Sequence, residues 1–206
     1  MATYKGIQGY TVDNLSSDPP AAQSVGQLWY NSTSGTFKIG TQSAAAWSAG
    51  GNLNTGRDWM AGLGTQTAAI SCGGEPPVSA GAGIAVEKYD GSSWATTTSL
   101  NTYRYGMGGA GTNTSCIVFG GGPPTTNKTE QFDGTSWTEK SDMQAAKLAT
   151  SGSSAGSVTA ALNFGGSPIP NNADSEVYDG TSWATTNNIN NGRDAGGGCG
   201  TSTAAQ

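Results

Sequence analysis

Histidine is absent from this chain of 206 residues, which removes the usual imidazole base and the nitrogen ligand of most protein zinc sites. Charge is scarce too. Nine Lys/Arg against fourteen Asp/Glu leave a net of -5, with no basic cluster to neutralise a phosphate backbone, so no nucleic-acid partner is predicted. The cysteines, Cys72, Cys116 and Cys199, are odd in number and lack CxxC spacing, which argues against a disulfide framework. No run of about 18 apolar residues occurs, so no membrane span is expected. The opening "MATYKGIQGYTVDN" has no apolar core of a secretory signal, so synthesis and assembly in the cytoplasm are expected. Asp58 and Asp194, in two "GRD" stretches, could line a metal site, but no dense Asp run supplies the converging oxygens a hard cation needs. No catalytic, cofactor-binding or metal-ligating set is predicted.

What the chain does have is Gly, Ser, Thr, Asn and Ala, punctuated by aromatic residues at a fixed beat. Trp47, Trp94, Trp137 and Trp183 are spaced by 47, 43 and 46 residues, and the pairs Gly73-Gly74, Gly120-Gly121 and Gly165-Gly166 by 47 and 45. A basic residue keeps the same period: Arg57, Arg104, Lys147 and Arg193 each lie four residues after Leu53, Leu100, Met143 and Ile189. Markers that share one period mean a repeated supersecondary unit rather than a disordered tract.

Each unit reads as strands. "SCIVFGGG" and "TAALNFGG" are short apolar runs stopped by glycine, and "TEQF" and "SEVY" alternate polar with aromatic residues. Asp90-Gly91, Asp133-Gly134 and Asp179-Gly180 follow as hairpin turns, because glycine accepts the positive φ such turns demand. A tryptophan then opens the next strand. Glu87, Glu130 and Glu176, three residues before each Asp, could be read as acids for glycoside hydrolysis, but their recurrence in every unit assigns them to the scaffold, paired with the periodic Arg or Lys.

These features resemble the kelch repeat, with Arg104, Phe119-Gly120-Gly121, Phe132 and Trp137 as the clearest copy. The resemblance runs from Leu53 onward and implies an all-β chain of kelch-like β-propeller blades, each of four strands. The expected units are 53-94, 100-137, 143-183 and a partial 189-206. Lys147 departs from Arg, and Cys72 from Phe, without breaking the period. The chain is expected to stop inside a blade. Residues 36–47 are one source of that blade's outer strands; further blades or neighbouring chains are the others.

Ahead of the repeats, "GQLWYNSTSGTFKIG" resembles a hairpin found near the start of bacteriophage tail-fibre and other virion structural proteins. The expected organisation is therefore residues 1-46, an extended arm and hairpin for attachment, followed by residues 47-206, the repeats. Leu28, Trp29, Tyr30, Phe37 and Ile39 would leave apolar surface for assembly, since a lone two-stranded hairpin is marginal in water. The two resemblances imply a non-enzymatic tail fibre or tail appendage, located in the virion and partnered by other virion proteins and sister copies. Loops after the glycine pairs, with Pro76-Pro77, Pro123-Pro124 and "SPIPNNAD", would face a host-surface glycan or protein. The alternatives are a glycan-degrading propeller enzyme of a phage tail and an intracellular kelch-type adaptor.

Overall fold

The computed structural model describes residues 12–20, 26–40, 49–75, 82–153, 156–168 and 172–205. Trp47, Pro76-Pro77 and the centre of "SPIPNNAD" lie outside them. The chain divides into two compact units, Met1–Ala49 and Gly50–Gln206. Among the described residues both are built from strands, with one single-turn 3-10 helix at Ala82–Ile84.

In the first unit, β1 (Asp13–Leu15), β2 (Leu28–Asn31) and β3 (Thr36–Ile39) form one sheet in that order. The expected hairpin is β2–β3, with Leu28 opposite Ile39 and Tyr30 opposite Phe37. The arm differs from the expectation. Part of it is β1, laid parallel on β2, so the hairpin gains a third strand. Asp18 ties this sheet together: Trp29 Nε1 donates to its carboxylate at 3.1 Å, Asn31 Nδ2 at 2.6 Å and Lys38 Nζ at 2.6 Å. Lys38 first, then Asn31 and Trp29, holds the Asp18 carboxyl at a pKa of about 2. Trp29 is buried and Tyr30 half-buried, whereas Leu28, Phe37 and Ile39 are exposed.

The second unit contains three four-stranded antiparallel sheets. Sheet I is β4 (Ala61–Thr65), β5 (Ala68–Cys72), β6 (Val86–Tyr89) and β7 (Trp94–Thr96). Sheet II is β8 (Gly108–Gly111), β9 (Cys116–Phe119), β10 (Thr129–Phe132) and β11 (Trp137–Lys140). Sheet III is β12 (Ser151–Gly152), β13 (Ala161–Phe164), β14 (Ser175–Tyr178) and β15 (Trp183–Thr186). A final pair, β16 (Gly200–Thr201) with β17 (Ala204–Ala205), starts a fourth repeat. First strands face first strands, β8 lying against both β4 and β12. Only glycine fits this approach: a Cβ on Gly152 would stand 2.5 Å from the backbone of Gly109, and one on Gly198 would stand 2.3 Å from the Gly152 carbonyl oxygen.

Period-two alternation splits each sheet's side chains between two cores. Leu63, Ile70, Cys72 and Val86 of sheet I meet Cys116, Val118, Phe132 and Trp137 of sheet II. The opposite face of sheet II, Ala110, Ile117 and Phe119, meets Tyr178 and Trp183 of sheet III. Fully buried side chains such as Ile117, Phe119 and Phe132 each contribute about 1.5–3 kcal/mol. Trp137 and Trp183 are buried between sheets, while Trp94, whose sheet is the first of the series, is half-buried.

The Asp-Gly stretches form the tight turns that their sequence predicts, with Gly91, Gly134 and Gly180 at φ of 98°, 101° and 96°. In each turn one carboxylate oxygen accepts two backbone N–H groups at 2.8–2.9 Å: Ser92 and Ser93 on Asp90, Thr135 and Ser136 on Asp133, Thr181 and Ser182 on Asp179. The Ser93 and Ser92 amides, then the Ser92 hydroxyl, hold Asp90 at a pKa of about 2, and the amides of the other turns lower Asp133 and Asp179 likewise. A carboxyl whose folded pKa is depressed stabilises the fold above its unfolded value near 4 and loses that contribution as pH falls through the folded value. The urea midpoint should therefore decline from about pH 4 toward pH 2, and Asp90→Ala should make that decline shallower.

Candidate functional site

The two ends of the sheets differ. The Asp-Gly turns gather at one end, and the linkers between sheets meet the loops after the glycine pairs at the other. The joint at this second end explains why the basic residues, glutamates and glycine pairs share a period. Glu87 accepts Asn54 N at 2.8 Å, Thr55 N at 3.3 Å and Arg57 Nη2 at 2.8 Å. Glu130 accepts Asn101 N at 2.8 Å and pairs with Arg104, and Glu176 accepts Gln144 N at 2.6 Å and Ala145 N at 3.2 Å. Each glutamate thus holds the linker that enters its own sheet.

The carbonyl of the same basic residue faces the preceding repeat. Gly74 N donates to the Arg104 carbonyl at 3.1 Å, Gly121 N to that of Lys147 at 2.7 Å and Gly166 N to that of Arg193 at 2.8 Å. A Cβ on Gly73, Gly120 or Gly165 would come within 2.6–2.8 Å of those same oxygens. The glycine pair and the next basic residue are therefore one joint.

The four periodic cations are not equivalent. The side chains of Arg57, Arg104 and Lys147 are buried, which draws Arg57 and Lys147 below their usual pKa values against the opposing pull of nearby carboxylates. Lys147 Nζ lies 3.9 Å from a carboxylate oxygen of Asp174. Arg193 is exposed, and its Nε donates to the Asn191 carbonyl at 3.4 Å. Three buried, engaged cations do not make an open cationic channel for an anionic glycan.

Two residues beyond each basic residue the backbone turns left-handed: Trp59 at φ 51°, Gly106 at 61°, Ala149 at 53° and Ala195 at 49°. Gly106 N donates to the Trp59 carbonyl at 2.7 Å and Ala195 N to that of Ala149 at 2.8 Å, so successive linkers converge here. At this convergence the first repeat places Trp59, half exposed at 50%, edge-on to Tyr105 with ring centroids 6.0 Å apart. Met60 and Tyr103 are exposed as well, and the Tyr103 ring lies against Gly83, where a Cβ would meet it at 2.3 Å. Because the left-handed turn recurs where the side chain is only a methyl, the scaffold does not require the exposed indole. An aromatic platform on a rigid, internally bonded scaffold suits the apolar face of a sugar ring or a protein side chain.

Sequence reasoning assigned this end to the loops but missed Trp59 and Tyr105, which break no period and form no motif. The amides Asn54, Asn101 and Gln144 were legible and passed over: each directly follows the periodic apolar residue and donates to the carbonyl of a repeat tryptophan, Trp94, Trp137 or Trp183, at 2.9–3.2 Å. Cys72 and Cys116 are free and buried, and burial pushes the Cys72 thiol well up, so it packs as an inert hydrophobe. Among the described residues no group of three or more His, Cys, Asp or Glu is placed to hold a metal ion. Likewise, no helix among them is long and apolar enough to cross a membrane. No protein-family model matches the chain, and no curated protein matches it.

Proposed function

We propose that the chain is a non-enzymatic structural protein of a bacteriophage particle, a tail fibre or tail appendage, whose second unit is a kelch-like propeller segment that binds a host-surface glycan or protein. The observation that carries the binding reading is the exposed Trp59 indole, set edge-on to the half-buried Tyr105 where the linkers converge. Four-stranded sheets stacked through their first strands, at steps of 43 to 47 residues, support the propeller reading. The repeated carboxylates support a scaffold rather than acid–base chemistry, since Glu87, Glu130 and Glu176 hold linkers and Asp90, Asp133 and Asp179 hold turns. The exposed face of Leu28, Phe37 and Ile39 supports attachment through the first unit to other virion proteins or sister copies.

Trp59→Ala removes an exposed side chain, so stability should move by no more than about 0.5 kcal/mol while binding to host cells falls about tenfold or more. Phe37→Glu with Ile39→Glu should leave the fold intact and abolish incorporation into particles. Host-cell binding that ignores Trp59→Ala would overturn the surface-binding reading, and normal incorporation of the double variant would overturn the attachment reading.

A further inference from the structure

In each of the three repeats, the residue after the basic residue pairs with the residue after the glycine pair. Asp58 exchanges backbone bonds with Glu75 at 3.1 and 2.8 Å, Tyr105 with Gly122 at 2.8 and 3.1 Å, and Leu148 with Ser167 at 2.9 and 2.7 Å. Partners bonded in this way stand directly opposite each other, with Cα atoms about 5.5 Å apart and side chains on the same side. The first repeat fills this position with two carboxylates.

Like charges directly opposite each other in a ladder are destabilising. Asp58 and Glu75 are both exposed, and among the described residues neither forms an ion pair. Glu75 is the only charged residue between Asp58 and Glu87, and residues 105–127 carry no charge at all. The cations of the two linkers, Arg57 and Arg104, are buried against Glu87 and Glu130. Because Tyr105 with Gly122 and Leu148 with Ser167 make the same joint, the scaffold does not require this pair of anions. It is peculiar to the repeat that also carries the exposed indole.

The two features are neighbours. Trp59 directly follows Asp58 and its carbonyl accepts Gly106 N at 2.7 Å, while Gly74, beside Glu75, donates to the Arg104 carbonyl at 3.1 Å. The indole, both carboxylates and the Tyr105 ring therefore sit on three segments tied to one another by backbone bonds.

We propose that this cluster binds a glycan bearing free amino groups, which gives the ligand class of the surface-binding reading on which it rests. The apolar face of the amino sugar lies on the Trp59 indole, the aromatic ring best suited to a nearby cation, and its ammonium donates to the Asp58 and Glu75 carboxylates. The backbone here is already paired, so a peptide has no free edge to add to as a strand, and recognition falls to the side chains. An amino sugar supplies the flat apolar face, the positive charge and the donors in one rigid ring. An anionic glycan is repelled by the same carboxylates.

The probes are a fully deacetylated glucosamine oligosaccharide and its N-acetylated counterpart, titrated calorimetrically into the full chain at mildly acidic pH, where amines carry protons and carboxylates are ionised. The amino form should bind at least about tenfold more tightly, and added salt should narrow the gap. Asp58→Asn with Glu75→Gln should abolish that preference without lowering the urea midpoint, since it removes a repulsion, and Trp59→Ala should weaken both sugars. Equal binding of the two sugars, preference for the acetylated one, binding of neither, or a preference that survives Asp58→Asn with Glu75→Gln overturns the proposal. The surface-binding reading is judged separately, by whether Trp59→Ala lowers binding to host cells. Oligolysine that binds as tightly through the same carboxylates overturns the proposal in favour of a basic peptide, and calcium that does so overturns it in favour of a metal ion.

Discussion

Replacing Trp183 with alanine should destabilise the second unit by about 3–5 kcal/mol, the range for truncating a large aromatic side chain in a core. The indole is 3% exposed, packs on Phe119 and Tyr178, and donates to the buried Thr129 hydroxyl, so truncation leaves both a void and a hydroxyl without its donor. Since whole domains are stable by only about 5–15 kcal/mol, the variant loses a large share of the total. Trp94 occupies the same place in the first repeat, but it is half-buried and donates to the exposed Gly51 carbonyl at 3.1 Å. Trp94→Ala should therefore cost clearly less. Urea denaturation of the two variants checks the ranking, and equal losses would refute the view that burial between sheets, rather than the repeat position itself, sets the energy.

The second large effect is expected at Glu130. Its carboxylate and the Arg104 guanidinium are both fully buried, and the same carboxylate receives the Asn101 amide at 2.8 Å. Removing one partner of a buried pair leaves the other charge without compensation, so Glu130→Ala should cost about 3–5 kcal/mol. Arg104 retains bonds to the carbonyls of Gly120 at 3.3 Å and Lys128 at 3.0 Å, which do not neutralise it. The double variant Glu130→Leu with Arg104→Met should lose less than Glu130→Ala, because no isolated charge remains. A chemical-denaturation cycle measures this, and additive losses would show that the two residues act independently.

These predictions depend unequally on sequence and structure. The strands, their glycine stops and the Asp-Gly turns were legible because they obey local rules: side chains alternate with period two, and only certain residues tolerate positive φ. The pairing of Glu87 with Arg57 and of Glu130 with Arg104 was also accessible, since two periodic charges of opposite sign in a protein with few charges have few other partners. The extra strand β1 was not. Asp13–Leu15 carries no strand pattern of its own, and its place depends on Asp18 reaching Trp29, Asn31 and Lys38 across the sheet.

By itself the sequence determined that this is a repeated all-β chain with joints at fixed intervals, because period and turn chemistry are properties of neighbouring residues. Only the tertiary structure decided how the repeats differ. Trp94, Trp137 and Trp183 share one motif, yet the first is half-buried and the others buried, since burial depends on which sheet lies opposite. Arg193 reads like Arg104, yet one is exposed and the other sealed, because the glutamate that draws Arg104 inward comes from a strand the fourth repeat does not supply among the described residues. Trp59 and Tyr105 become neighbours only when successive linkers converge, a long-range contact that no local pattern encodes.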